Sequence, residues 1–396
     1  MATLVGDSLR KAYYSSDDVN TKSLAAFLTL RIAMSGASDS SRVKRMMPDL
    51  REERFAPDLH SDGMMPDLKE TPCGQCDETY FSLSRCNVED IGDATFDLRL
   101  GGLVARSDTV LSGVREEDLK KMSYQVLESG EPFEFKCNPD GRNVYYFTSF
   151  EGLRHSSNLS VDVHAKSTTG RVGCHAKGVG RMGDGRFITL LQPLAFNLIA
   201  KSGETSFSQG VVRYSGSEYA TRNEIVERGL VSFRGEKLED FLHPLGVVIK
   251  FDTSRAYAAK RTNRVIDMSA RDLDWGHWWE EMRGNSEMVL DAKRLYLLGS
   301  PVICLSDACG IISKETEVFN GLGGFGCLAG VVQSGFRGGI TMEPYFPIKT
   351  RIRMGDVAGY VLIDPIMGKM PKSTYTGDYQ EQRAPRLPKM FSDKKG

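Results

Sequence analysis

Short runs of alternating apolar and polar residues dominate the chain from about residue 90 onward. Phe96, Leu98 and Leu100 alternate with Asp97 and Arg99, and this period of two predicts a half-buried strand. The same pattern predicts strands at residues 143–147, 159–164, 185–191, 197–200, 210–214, 245–251, 294–298, 302–305, 338–342, 350–353 and 359–363. Residues 223–229 and 238–242 favour helix or loop. This order of short strands and turns predicts a mainly β protein, built as an antiparallel barrel or jelly roll.

Two stretches of the strand-rich region end in the same way. Residues 187–193 parallel residues 339–344, and the turn at residues 201–204 parallels the turn at residues 353–356. Each turn precedes a final apolar strand. We therefore predict two tandem units, at residues 87–235 and 236–396, behind an N-terminal extension of residues 1–86.

The extension differs in pattern from the rest of the chain. Residues 5–35 carry a weakly helical pattern, and a nine-residue unit then recurs with Pro-Asp-Leu at residues 48–50, 57–59 and 66–68. Proline at every ninth residue excludes a continuous helix or a central strand. The repeats are typical of an extended, partly disordered segment, and a repeated docking peptide is the alternative.

The charge and composition of the chain limit the classes of partner that we expect it to bind. The 396 residues suggest two or three domains and include 51 Lys and Arg against 52 Asp and Glu, so no basic excess attracts nucleic acid. The sequence contains no apolar run of the ~18–20 residues that a membrane span needs, and we see no secretory signal at its start. The eight cysteines follow no regular framework, which fits reduced thiols. We expect a cytoplasmic protein with no membrane or nucleic-acid partner.

Cys73 and Cys76 form a Pro-Cys-x-x-Cys motif, which is half of the zinc deaminase signature. That signature also needs an upstream His-x-Glu, and His60 has no glutamate two residues later. A zinc deaminase is therefore excluded. Free cysteines remain the simplest interpretation, with a structural zinc shared with Cys86 or Cys137 as the alternative.

Two other motifs can carry chemistry. Lys166-Ser167-Thr168-Thr169-Gly170-Arg171 follows a predicted strand, and small hydroxyl residues with a glycine can cradle a phosphate while arginine donates to it. Glu343 ends an apolar run after the glycines that surround Phe336. A carboxylate that faces a pocket can move protons. A solvated loop and a surface glutamate are the simpler alternatives.

These two motifs and the strand at residues 96–101 resemble the dCTP deaminase and dUTPase family, in particular its long bacterial form, over residues 91–390. The resemblance implies two tandem dUTPase-like β-barrel or jelly-roll units. It implies zinc-independent hydrolysis of dCTP to dUTP and ammonia, with Mg²⁺ on the triphosphate. The implied catalytic residues are Glu343, Ser167 and Arg171. The implied substrate-binding residues are Lys166, Ala329, Gln333, Gly335, Phe336, Tyr379, Gln380 and Gln382, the last three lying in a C-terminal closing arm.

The two units have lost complementary features. In the second unit, Glu315 and Glu317 stand where the first has its phosphate motif, and in the first, Leu190 and Leu191 stand where the second has Glu343. This predicts one composite site, within one chain or across a subunit contact of a homo-oligomer, a dimer or trimer-like assembly. The chain departs from the family at Gln333-Ser334, where Asp-Pro is usual. A bifunctional dCTP deaminase and dUTPase, and a catalytically inactive scaffold subunit, are the alternatives.

Overall fold

The computed structural model describes residues 28–32, 79–84, 95–111, 113–140, 142–155, 157, 159–215, 218–244, 246–306, 309–315, 328–365 and 377–391. The Pro-Asp-Leu repeats, Cys73, Cys76 and Cys86, and Glu317 lie outside these residues. What we expect of them stays a prediction. Among the described residues, no helix is long and apolar enough to cross a membrane.

Strands contain most of the described residues before residue 215. They are β1 (Leu28–Ile32), β2 (Thr79–Ser84), β3 (Thr95–Ser107), β4 (Ser123–Val126), β5 (Pro132–Phe135), β6 (Val144–His155), β7 (Leu159–Ala165), β8 (Cys174–Arg181), β9 (Arg186–Pro193), β10 (Asn197–Lys201) and β11 (Ser206–Tyr214). The described residues between these strands also form the short helices α1 (Glu116–Lys121) and α2 (Ser167–Arg171).

Six of these strands close into an antiparallel barrel in the order β3, β6, β9, β8, β7, β11 and back to β3. Closure satisfies the backbone hydrogen bonds that a sheet edge would leave open. The aromatic rings of Phe135, Tyr145 and Phe207 pack edge to face in the core, with centroids 5.1 and 5.3 Å apart. The mainly β fold, dUTPase-like in its closed barrel, is therefore confirmed.

In the second half of the chain, from residue 218 onward, most of the described strands are shorter. They are β12 (Val231–Phe233), β13 (Leu242–His243), β14 (Gly246–Lys250), β15 (Asp252–Ala259), β16 (Val265–Asp267), β17 (Trp279–Met282), β18 (Glu287–Leu290), β19 (Tyr296–Gly299), β20 (Val302–Leu305), β21 (Cys309–Glu315), β22 (Val331–Val332), β23 (Arg337–Gly339), β24 (Thr350–Arg353) and β25 (Val357–Pro365). Helix α3 (Arg222–Glu227) precedes them.

Strand pairing follows the same scheme in both halves. In the first, β11 lies between β3 and β7, and the preceding strand β10 pairs with β5. In the second, β25 lies between β14 and β21, and the preceding strand β24 pairs with β18. Matching strand pairings of this kind are what a tandem duplication would produce.

The two halves share one hydrophobic cluster. Strand β10 pairs in parallel with β16, and the rings of Phe196 and Trp279 meet at 5.2 Å. Ile225, Leu230 and Phe233 pack in the core of the second half. The boundary between residues 235 and 236 stays a prediction.

Two predicted elements differ from the structure. Residues 28–32 form a strand rather than a helix, because Leu28–Ile32 pairs along its length with Thr79–Ser84. The strand predicted at residues 338–342 ends at Gly339. The reason is that the amide of Ile340 donates to the side-chain oxygen of Ser300 at 2.8 Å, which takes that donor out of the ladder.

A buried carboxyl group in the barrel gives a prediction on stability. Glu151 is fully buried, and burial raises its pKa to about 7, although an ion pair with Arg99 at 2.6 Å lowers it. A raised carboxyl pKa means that the folded state holds the proton more tightly than the unfolded state. The contribution of Glu151 to the free energy of unfolding is therefore fully present below the ordinary pKa of 4.5 and is lost as the pH rises through about 7. The loss is on the order of 3 kcal/mol.

We expect Glu151→Gln to flatten this fall, because glutamine does not ionise. Urea unfolding at pH 5 and pH 8 measures the difference for wild type and variant. The exposed Glu227 provides the control substitution Glu227→Gln, which should leave the fall unchanged. Equal losses of stability in wild type and Glu151→Gln would contradict this assignment.

Candidate active site

The phosphate motif of the sequence forms helix α2 directly after strand β7. Lys166 precedes the helix in an extended conformation. The hydroxyl of Thr169 donates to the carbonyl of Phe207 at 2.7 Å, which fixes the helix against β11. Lys166 and Ser167 remain partly exposed at its start, while Arg171 is buried at its end.

Glu343 follows strand β23 and lies between two isolated bridges, those of Met342 with Leu298 and of Tyr345 with Leu295. Its side chain is only 1% exposed, and Oε2 accepts hydrogen bonds from the amides of Leu328 at 3.1 Å and Ala329 at 3.3 Å. Gly335 takes a left-handed conformation in the turn between β22 and β23, with φ of +69°, which glycine adopts without steric cost. The carboxylate is therefore held in place by backbone donors rather than exposed to solvent.

The two motifs line one cavity of about 230 Å³ within a single chain. A water molecule needs roughly 10–15 Å³ measured in this way, so the cavity can admit a larger group. It is lined by Asp97, Lys166, Ser167, Thr168, Arg171, Gln209, Val331, Val332, Gln333, Phe336, Ile340, Thr341, Glu343, Gly377, Asp378, Tyr379, Gln382 and Lys389.

Most of the predicted site residues line this cavity, and three do not. Ala329 is buried behind it, where its amide donates to Glu343. The side-chain amide of Gln380 accepts a hydrogen bond from the amide of Arg337 at 2.8 Å and donates to the carbonyl of Gly335 at 3.1 Å. Gln380 and Gly335 thus join the C-terminal segment to the turn before β23.

The C-terminal segment covers Arg171. The guanidinium carbon lies 3.6 Å from the ring centroid of Tyr379, and Nη1 donates to the carbonyl of Arg386 at 2.7 Å. Gln382 is 1% exposed and donates to the hydroxyl of Thr341 at 3.2 Å. Cation–π stacking on Tyr379 and the hydrogen bond to Arg386 fix the plane of the guanidinium group.

Charges of both signs line the cavity. Lys166 forms an ion pair with Asp97, and each side chain is about a quarter exposed, at 23% and 25%. Burial lowers the pKa of Lys389, and Lys166 lowers it further. The cations Lys166, Arg171 and Lys389 therefore share this wall with carboxylates, so an anionic ligand must compete with Asp97 for Lys166.

Several lining residues were not predicted from the sequence. Asp97 lies on the polar face of strand β3. Its alternation with apolar residues is visible in the sequence and could have identified it as a candidate partner of Lys166. Gln209 lies on β11 and has no such local signal. Gln333 was predicted, and its side-chain nitrogen donates to the hydroxyl of Thr95 in the first half at 2.8 Å.

Metal ligands do not gather in the part of the chain that the structure describes. No group of three or more His, Cys, Asp or Glu side chains there could hold an ion. His155, His164 and His175 are not part of such a group. A structural zinc shared by Cys137 and the N-terminal cysteines stays an untested alternative, because those cysteines lie outside the described residues.

Comparison with solved structures adds a likeness in fold. No family model and no curated protein matches the sequence. The fold is similar to the crystal structure of 2'-deoxycytidine 5'-triphosphate deaminase from Agrobacterium tumefaciens, with a TM-score of 0.61 and 17% sequence identity. The match covers 72% of this chain and 92% of that chain. At this identity the likeness shows a shared fold.

We expect the ion pair of Lys166 with Asp97 to weaken the affinity of the cavity for anions. Replacing Asp97 by Asn removes a negative charge beside Lys166, so inorganic triphosphate should bind about fivefold more tightly at low salt. Lys166→Met should weaken its binding. Calorimetric titration measures both effects.

Asp240 is exposed and does not line the cavity, so Asp240→Asn is the matched control for the change in net charge. Equal affinities in Asp97→Asn and Asp240→Asn would mean that Asp97 does not limit anion binding.

Proposed function

We propose that the chain hydrolyses dCTP to dUTP and ammonia. The observation that carries this proposal is the buried Glu343 carboxylate, which lines the same cavity as Ser167 and Arg171. A proton-transfer group and a phosphate-binding motif are the two parts that such a reaction needs. The shared fold with a deaminase that acts on this nucleotide supports the choice of substrate.

Glu343 would move the protons of the reaction. Its carboxylate accepts a proton from water as the oxygen adds to C4 of cytosine, and delivers that proton to N3. It then transfers the proton of the new hydroxyl to the amino group, the bond from C4 to that nitrogen breaks, and ammonia leaves. The carbonyl of uracil forms in the same step. The amides of Leu328 and Ala329 would keep the carboxylate oriented throughout.

The cations of the cavity would bind the triphosphate. Lys166 and Lys389 are flexible point charges, whereas Arg171 is fixed by Tyr379 and Arg386. A nucleoside triphosphate enters such a site as its Mg²⁺ complex, so the ion belongs to the substrate. The turn around Phe336 would contact the pyrimidine with main-chain groups, and Gln333 lines the same cavity.

The tandem arrangement belongs to the same proposal. The matching pairings of β10 and β11 with those of β24 and β25 support two copies of one ancestral unit. Each copy would supply half of the site. A homo-oligomer stays a prediction that size measurement in solution can test.

Glu343→Gln should remove deamination and leave nucleotide binding intact. Loss of a general base typically lowers a rate by ~10²–10⁴, while the amide keeps the size of the side chain. The test measures ammonia release and product nucleotide from dCTP with Mg²⁺, and dCTP affinity by calorimetry. The exposed Glu239 provides the control Glu239→Gln.

Three outcomes separate the alternatives. A variant that turns over dCTP at near the wild-type rate would refute Glu343 as the base. Wild-type protein that binds dCTP without releasing ammonia would be an inactive or scaffold protein. Release of dUMP and pyrophosphate in addition to ammonia would identify a bifunctional enzyme.

A further inference from the structure

The segment that holds the Glu343 carboxylate is residues 328–330. Leu328 and Ala329 are 3% and 2% exposed, and their amides donate to Oε2 of Glu343. The direction of the carboxylate therefore depends on where this short segment of backbone lies. Two residues from the first half of the chain, Gly170 and His164, contact the segment at neighbouring positions.

Gly170 of helix α2 contacts the segment at Ala329. A methyl carbon added to Gly170 would lie 2.7 Å from the amide nitrogen of Ala329 and 3.0 Å from its Cβ. Neither distance leaves room for a side chain. The helix backbone and the Ala329 backbone are in direct contact at this point.

His164 of strand β7 contacts the segment at Gly330. A methyl carbon added to Gly330 would lie 2.6 Å from Nδ1 of His164, 3.2 Å from Cγ and 3.3 Å from Cβ. The imidazole ring thus lies directly against the backbone of Gly330. His164 is not among the residues that line the cavity, so this contact acts on Glu343 through the segment.

We propose that His164 is a positioning residue, which together with Gly170 clamps residues 328–330 and so fixes the two amides that orient the Glu343 carboxylate. The clamp itself is a statement about packing. Its effect on catalysis rests on the proposed function.

The imidazole acts in the clamp through its shape. Burial lowers the pKa of His164, to which Lys177 and Arg213 add, while Asp162 opposes them. The ring is therefore neutral near pH 7. Asparagine keeps a neutral planar group and retains Cβ, Cγ and an atom at the δ position, so His164→Asn preserves the atoms that touch Gly330. His164→Ala removes all of them except Cβ.

A size exchange tests the clamp. Gly330→Ala alone should push the segment away from His164 and raise the hydrogen-exchange rate of the Leu328 and Ala329 amides about tenfold or more. His164→Ala alone should raise that rate by a smaller factor. In the double variant the added methyl group occupies space that the ring has left, so the exchange rate should return to within about threefold of wild type. His164→Asn should exchange like wild type.

Gly183→Ala is the matched control, because a methyl carbon at Gly183 meets nothing within 4 Å. Exchange in Gly330→Ala that equals exchange in Gly183→Ala would overturn the proposal. So would a double variant whose effect is the sum of the two single effects.

Steady-state kinetics with dCTP provide a second measurement. The clamp predicts that Gly330→Ala lowers kcat while KM stays near the wild-type value, and that His164→Ala in the same chain restores kcat. Hydrogen exchange decides the proposal even for a protein that does not deaminate dCTP. Absence of ammonia release from the wild type would refute the proposed function alone.

Discussion

The site depends on the close approach of two backbones, helix α2 at Gly170 and the segment at Ala329. Their contact leaves no room for a side chain on residue 170, and it brings the phosphate motif and the carboxylate to one cavity. Other contacts between the halves lie nearby in the sequence. Gln333 donates to Thr95, and Val211 packs on Val331. A displacement at this contact would change the whole cavity, because each half contributes residues that the other lacks.

The wall of the cavity contains two buried charged side chains. Glu343 and Arg171 are almost fully buried, yet each has protein hydrogen-bond partners, which lowers the cost of removing a charge from water. The C-terminal segment supplies the partners of Arg171 through Arg386 and Tyr379. The position of Arg171 in the cavity wall therefore depends on how this segment packs against the first half.

The sequence predicts the strands well, because the period of two is visible wherever one face is buried, as along residues 96–100. It also predicts Ser167, Arg171 and Glu343, which line one cavity, because each lies in a compact local motif. It does not reveal Gln209, since this residue reaches the cavity only through the register of β11 with β7. Pairing between distant segments also overrides the helical pattern at residues 28–32, and a side chain distant in sequence, Ser300, ends β23. Such features depend on tertiary contacts that local patterns do not contain.

The central claim is that one chain supplies a complete site. Co-expression of Arg171→Ala and Glu343→Gln chains tests it most directly, with ammonia release from dCTP as the measurement. Each variant alone should be inactive, the first through lost binding and the second through lost proton transfer. A site within one chain predicts that mixed assemblies are inactive too, because no chain carries both residues. Activity in the mixture well above that of either variant would show that the site forms between subunits and would contradict the account.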